Sequence, residues 1–196
     1  MNRPTRGYGV FETFLAKQRY HKARSLIPPL LRKGGILDIG CGSMPYLLTR
    51  ETFREKHALD QLPPPSKCPP DISWHTHNLN QTPQLPFADG KFTCITMLAV
   101  LEHLEPDIIV PVLADCRRCL APDGQVVMTT PAAHADKLLH FLAALHMVSP
   151  EEIHEHKMAF TPAILRVHLV QAGFPTGRIC VGRFELGLNL WAVATC

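Results

Sequence analysis

Asp38-Ile39-Gly40-Cys41-Gly42-Ser43 sets two glycines, a carboxylate and a hydroxyl within six residues, at the end of the apolar run Ile36–Ile39. A turn of this kind handles ligands through its backbone, because glycine bends sharply and lets a ligand come close to the peptide groups. Pro45 suits the first position of a helix running through Leu48 and Arg50, whose leading N–H groups would be free for polar ligand parts. Two other nucleotide turns are excluded. The dinucleotide fingerprint G-x-G-x-x-G needs glycine where Pro45 stands, and no Gly-Lys-Ser/Thr follows to make a P-loop. The missing glycine counts against nicotinamide and flavin chemistry. Asp60 lies eighteen residues after Gly42, at the end of the run His57–Asp60. A carboxylate there can accept both hydroxyls of a ribose.

Histidine is the natural proton carrier near neutral pH, and the chain has eleven. His103 follows Glu102 just beyond an apolar strand, facing the expected pocket, which makes it a catalytic candidate. His75 with His77, and His154 with His156, have i, i+2 spacing, but neither pair has a third ligand, so no metal is assigned. Cys116-Arg117-Arg118-Cys119 falls inside a helical pattern with no second pair, and structural zinc needs four ligands. Those cysteines read as ordinary helix residues.

The elements that must position these groups alternate. A leading helix spans Gly9 to Ile27, with strands at Ile36–Ile39, His57–Asp60, Ile72–Leu79 and Phe92–Leu98. Gln61 to Asp71 holds five prolines and reads as a loop. A helix over Glu105–Leu120 follows, with Pro111 as a flaw, then a turn at Pro122-Asp123-Gly124 and a strand over Gln125–Thr130. Helices over 135–148 and Thr161–Gln171, the latter closed by Gly173, precede strands at Arg178–Glu185 and Leu188–Thr195. This is an α/β layered fold with a mostly parallel sheet and an antiparallel hairpin at one edge.

The length suits a single domain, and 46% hydrophobic with 19% charged residues excludes disordered, coiled-coil and collagen-like chains. The longest apolar stretch, Leu138–Val148, carries His140 and His146 and is too short to span a membrane. No apolar segment follows the first six residues, so a soluble cytoplasmic location is expected. Seven cysteines without a signal peptide point to reduced thiols. The net charge of +3 is uneven: residues 1–33 carry eight Lys/Arg against Glu12, and the other 163 residues carry twelve basic and sixteen acidic groups. That basic segment fits an acidic or phosphate-bearing partner, and no nucleic-acid motif accompanies it.

Ile36-Leu37-Asp38-Ile39-Gly40-Cys41-Gly42 resembles motif I of the class I S-adenosylmethionine-dependent methyltransferases. Leu85-Pro86-Phe87-Ala88-Asp89-Gly90-Lys91-Phe92, Val100-Leu101-Glu102-His103-Leu104, Pro122-Asp123-Gly124-Gln125 to Thr130-Pro131, and His156 to Phe160 with Thr161-Pro162 resemble later segments of the small-molecule, type 11-like branch. The resemblance covers about residues 34–195 in order, with residues 1–33 as a basic helical lid. It implies a Rossmann-like three-layer sandwich with seven strands, mostly parallel, the last antiparallel. It also implies S-adenosyl-L-methionine as cofactor and S-adenosyl-L-homocysteine as product. Asp38, Gly40, Cys41, Gly42 and Ser43 would hold the methionine part, Asp60 the ribose, Asn78 and Leu79 the adenine, and Leu98 and Ala99 the opposite side. His156 joins His103 as a catalytic candidate, and Tyr20, His21 and Tyr46 are candidate substrate contacts. The acceptor would be a small molecule, chosen by the N-terminal segment and residues 132–160. Met44, Asn78 and Thr93 depart from the family pattern and motivate an alternative, a methyltransferase-like binding or scaffold protein that has lost catalysis.

Overall fold

Short apolar runs bounded by Gly, Pro and Asp form seven strands in the computed structural model, which describes residues 10–133 and 158–196, with side chains from residue 16. They are β1 (Gly35–Ile39), β2 (Glu55–Asp60), β3 (Ile72–Thr76), β4 (Phe92–Leu98), β5 (Leu120–Pro131), β6 (Ile179–Phe184) and β7 (Asn189–Thr195). The spatial order is β3-β2-β1-β4-β5-β7-β6, with β7 antiparallel to both neighbours and the other strands parallel. The order reverses between β1 and β4, so the connections leaving their carboxyl ends part and open a crevice. The expected α/β sandwich and its terminal hairpin are both present.

Among the described residues three α-helices cover the sheet: α1 (Val10–Leu26) on one face, α2 (Ile109–Cys119) and α3 (Pro162–Gln171) on the other. α1 contributes Tyr20 and Ala23 to a core shared with Ile36, Leu47, Leu48, Cys94 and Val127. α2 and α3 contribute Val112, Leu113, Cys116, Leu165 and Leu169 to the opposite core with Leu37, Ile39 and Met97. Thr161 caps α3 by accepting from the Ile164 N–H at 3.2 Å, and Gly173 takes φ 91° just past its end. α2 begins at Ile109, later than expected, so Pro111 lies in its first turn, where no intrahelical donor is needed. Its cysteines are fully buried, as ordinary helix residues would be. No helix among the described residues is long and apolar enough to cross a membrane.

Two expectations need correction. Residues 42–50 form consecutive turns, not a helix. Pro45 donates no N–H, and only Thr49 N–H to Pro45 O and Glu51 N–H to Leu47 O make helix-type bonds. So short a segment does not sustain a helix by itself; Leu47 and Leu48 hold it by docking on the sheet. The third strand stops at Thr76: the His77 N–H makes the last ladder bond, to Asp60 O, and Asn78 then starts a turn. The proline loop contains no helix, and the Trp74 indole N–H donates to Leu62 O at 3.1 Å. The helix expected over 135–148 lies outside the described residues.

Glu51 ties α1 to this turn segment. Its carboxylate is buried, accepts from Tyr20 Oη at 2.7 Å, lies 3.4 Å from Arg24 Nε and pairs with Arg32. Glu51→Ala strands a buried hydroxyl and two cations, both partly solvated, at a cost of about 2 kcal/mol. In urea titrations the midpoint is expected to fall at unchanged slope; an unchanged midpoint would show that α1 is held by packing alone.

Candidate functional site

A cleft of about 320 Å³ opens where β1, β2 and β4 end. Ile39 and Gly40 from β1, Leu59, Asp60 and Gln61 from β2, and His77 to Asn80 after β3 form three of its sides. Val100, His103 and Leu104, beyond β4, complete it. The chain passes β1 through Gly40 at φ 68° and Gly42 at φ 67°, the left-handed region that glycine enters without steric cost. A Cβ on Gly40 would stand 2.4 Å from Val100 Cγ2, whereas one on Gly42 would meet nothing within 4 Å. The first glycine is needed for packing. The second leaves open space beside the turn.

Asp60 clamps this turn. Its Oδ2 accepts from the Gly42 N–H at 2.8 Å and its Oδ1 from the Leu62 N–H at 3.0 Å. Each oxygen keeps a second lone pair for a ligand hydroxyl. Asp38, beneath the turn, accepts from Thr96 Oγ1 at 2.6 Å. Burial pushes its carboxyl up to about 7; the Thr96 bond opposes this and the Asp60 charge adds to it. Burial, with Asp38 and Asp60 nearby, also pushes the Cys41 thiol far up, so this sulfur stays protonated and is no nucleophile.

On the far wall, Asn78 Oδ1 accepts from the Asn80 N–H at 3.0 Å, while its carbonyl receives Gln81 and Thr82. Asn80 Nδ2 donates to His103 O at 3.2 Å and its Oδ1 accepts from the Glu105 N–H at 3.0 Å. Ala99, at φ 58°, donates its N–H to Thr129 O and carries the chain out of β4. Glu102 is buried and accepts from Thr130 Oγ1 at 3.0 Å.

The structure thus brings Gly40, Asp60, Asn78, Leu79 and His103 to one cleft, with Asp38, Cys41 and Gly42 adjoining it through the turn. Ser43 is exposed on the same turn, and Leu98 and Ala99 end β4 beside it. Tyr20, His21 and Tyr46 are not in the cleft. Tyr20 is a core residue bonded to Glu51, with its ring against Tyr46 at 5.4 Å and His21 at 5.1 Å. His156 lies outside the described residues. His75 meets His57 and His77 meets Thr82 O, and no group of three metal-ligating side chains occurs among the described residues. Thr93, at the position of a usual acid, donates to Leu31 O at 2.7 Å. Ile39, Leu59, Gln61, His77, Asn80, Val100 and Leu104 also line the cleft without having been expected there; the paired asparagines 78 and 80 were the one available signal.

A family model described as a methyltransferase domain matches residues 15–176. No curated protein matches the sequence. Among solved structures, a SAM dependent methyltransferase from Archaeoglobus fulgidus is 17% identical, with TM-score 0.70 over 95% of this chain and 98% of that one. An S-adenosylmethionine dependent methyltransferase from Mesorhizobium loti is 16% identical, with TM-score 0.69 over 93% and 100%. The Burkholderia thailandensis 1,6-didemethyltoxoflavin-N1-methyltransferase, solved with 1,6-didemethyltoxoflavin and S-adenosylhomocysteine, is 17% identical, with TM-score 0.65 over 94% and 81%. These likenesses are of fold, and they agree with the glycine turn and the strand order. With the family model spanning most of its length, the chain belongs to the methyltransferase-domain family.

Proposed function

We propose that the protein transfers a methyl group from S-adenosylmethionine to a small-molecule acceptor. One observation carries the reading: Asp60, at the end of β2, holds the Gly42 N–H and still borders the cleft, so one carboxylate couples the turn to a ribose position. The residues fit an adenosyl group. Gly42 opens on free space, Leu79 and Val100 give apolar walls, and Asn78 retains an amide for a base edge. In this reading Asp38, Gly40, Cys41, Gly42 and Ser43 surround the methionine end, Asn78 and Leu79 the adenine, and Leu98 and Ala99 the side facing the acceptor. When bound, S-adenosylmethionine supplies an activated methyl carbon, which bonds to the acceptor's lone pair as the carbon–sulfur bond breaks and its electrons neutralise the sulfonium.

The protein's own work is to hold the two partners in line. His103, on the cleft wall, is the first candidate to take a proton from an acceptor, with His156 as the second. α1 serves as the acceptor-side roof, and its basic residues favour an acidic or phosphate-bearing acceptor. Calorimetric titration with S-adenosylmethionine and S-adenosylhomocysteine tests the reading. Charge-assisted hydrogen bonds are worth about 1.5–3 kcal/mol, so Asp60→Ala is expected to weaken both ligands at least about tenfold. If neither ligand binds the wild-type chain, the proposal fails.

A further inference from the structure

Three buried polar atoms on the α1 side of the sheet have no hydrogen-bond partner among the described residues: Arg19 Nε, Thr129 Oγ1 and Glu185 Oε1. They come from α1, β5 and the β6–β7 turn, yet one cross-strand row relates them. Leu98, Thr129 and Trp191 stand side by side on β4, β5 and β7, with Gly182 next on β6. A Cβ on Gly182 would stand 2.6 Å from the Trp191 indole, so the ring lies across β6 where any side chain would displace it. Lys22 Nζ sits 4.5 Å from the indole centroid, which puts α1 over the row. At its end, Asn189 Nδ2 donates to Glu185 Oε2 and leaves Oε1 buried. Glu185, Leu186 and Gly187 all have positive φ, at 51°, 55° and 91°.

The row starts next to the glycine turn, since Leu98 follows Met97, which pairs with Ile39 at the end of β1. Its chemistry is specific. Arg19 and Lys22 outweigh Glu185 in charge and call for an anion, while a carboxylate oxygen without a donor calls for a hydroxyl or amino group. Burial raises the Glu185 carboxyl, against the Asn189 bond and the Arg19 charge. Leu98 and the indole give a flat apolar floor. We infer that Arg19, Thr129, Glu185 and Trp191 form the acceptor site, and that it takes a small planar carboxylate bearing a hydroxyl or amino group. The acceptor role rests on the methyltransferase reading; the binding site does not.

Ligand-observed NMR titration of the full chain with 4-hydroxybenzoate, benzoate and phenol separates the contributions. 4-Hydroxybenzoate is expected to bind at least about tenfold tighter than either fragment. Arg19→Met should weaken both carboxylates about tenfold and leave phenol unchanged. Glu185→Gln should weaken 4-hydroxybenzoate and phenol and leave benzoate unchanged. Thr129→Val, which removes an unbonded buried hydroxyl, should raise the melting temperature yet bind 4-hydroxybenzoate more weakly, so lost folding cannot mimic lost binding. S-adenosylhomocysteine affinity should hold in all three variants. No saturable binding to wild type, the result for a site filled by water alone, overturns the inference, as does equal binding by wild type and the variants. If the carboxylate pattern appears without S-adenosylhomocysteine binding, the site stands and the proposed function falls.

Discussion

Gly40→Ala is expected to abolish S-adenosylhomocysteine binding and to lower the melting temperature by roughly 10 °C, at about 2–4 °C per kcal/mol for a chain of this size. Two costs combine. An L-residue at φ 68° enters the left-handed region at about 1–2 kcal/mol. The new methyl would stand 2.4 Å from Val100 Cγ2, and forcing a methyl into a packed core costs about 1–3 kcal/mol more. Val100 lines the cleft, so relief of the clash deforms the binding wall directly. Gly42→Ala is the control: its φ is 67° and its Cβ would meet nothing within 4 Å, so only the backbone cost remains. Adding Val100→Ala to Gly40→Ala should recover the steric part, visible as coupling in a double-mutant cycle. Thermal melts by circular dichroism read wild type, the three single variants and the double variant. Equal losses in the two glycine variants would show that the Val100 contact is not what the first glycine protects.

What could be read from the sequence followed from local chemistry. Thr161, Pro162 and Gly173 mark both ends of α3, because a capping hydroxyl, a missing N–H and a left-handed residue each have one place in a helix. Asp38 to Gly42 and Asp60 could be found because a strand end, a tight turn and a second strand end are all short-range signals. The failures are long-range. Leu47 and Leu48 have spacing that suits a helix as well as a docked turn, and only the sheet beneath decides between them. Tyr20 looked available to a ligand because nothing near it in sequence announces Glu51, thirty-one residues on, as its partner. The Leu98–Thr129–Trp191 row depends on β7 inserting between β5 and β6 in one register, which pairing across the whole fold sets.

Raising the pH from 4 to 8 is expected to cost the wild-type chain up to about 4 kcal/mol of stability that Asp38→Asn does not lose, at 1.36 kcal/mol per pKa unit. Asp38 is the penultimate residue of β1, and burial lifts its carboxyl from 3.8 to about 7 despite the Thr96 hydrogen bond. Below the unfolded value both states hold the proton, and the stabilising contribution is complete. Between about 4 and 7 the unfolded chain releases its proton while the folded chain keeps it, so stability falls as pH rises. Above the folded value both states are ionised and the loss is complete. Asparagine keeps an oxygen that accepts from Thr96 Oγ1 but has nothing to titrate, and all other groups cancel in the difference between the two chains. Urea unfolding of both chains across this range measures that difference directly. Under the proposed function an amino-acid ammonium would bind at the glycine turn above Asp38, favour its ionised form, and so flatten the wild-type slope when S-adenosylhomocysteine saturates the site. Parallel slopes in the two unliganded chains would mean that Asp38 is ionised throughout the range. Thr96 and the turn would then be solvating a charge, and the ligand would have no pH-dependent loss to relieve.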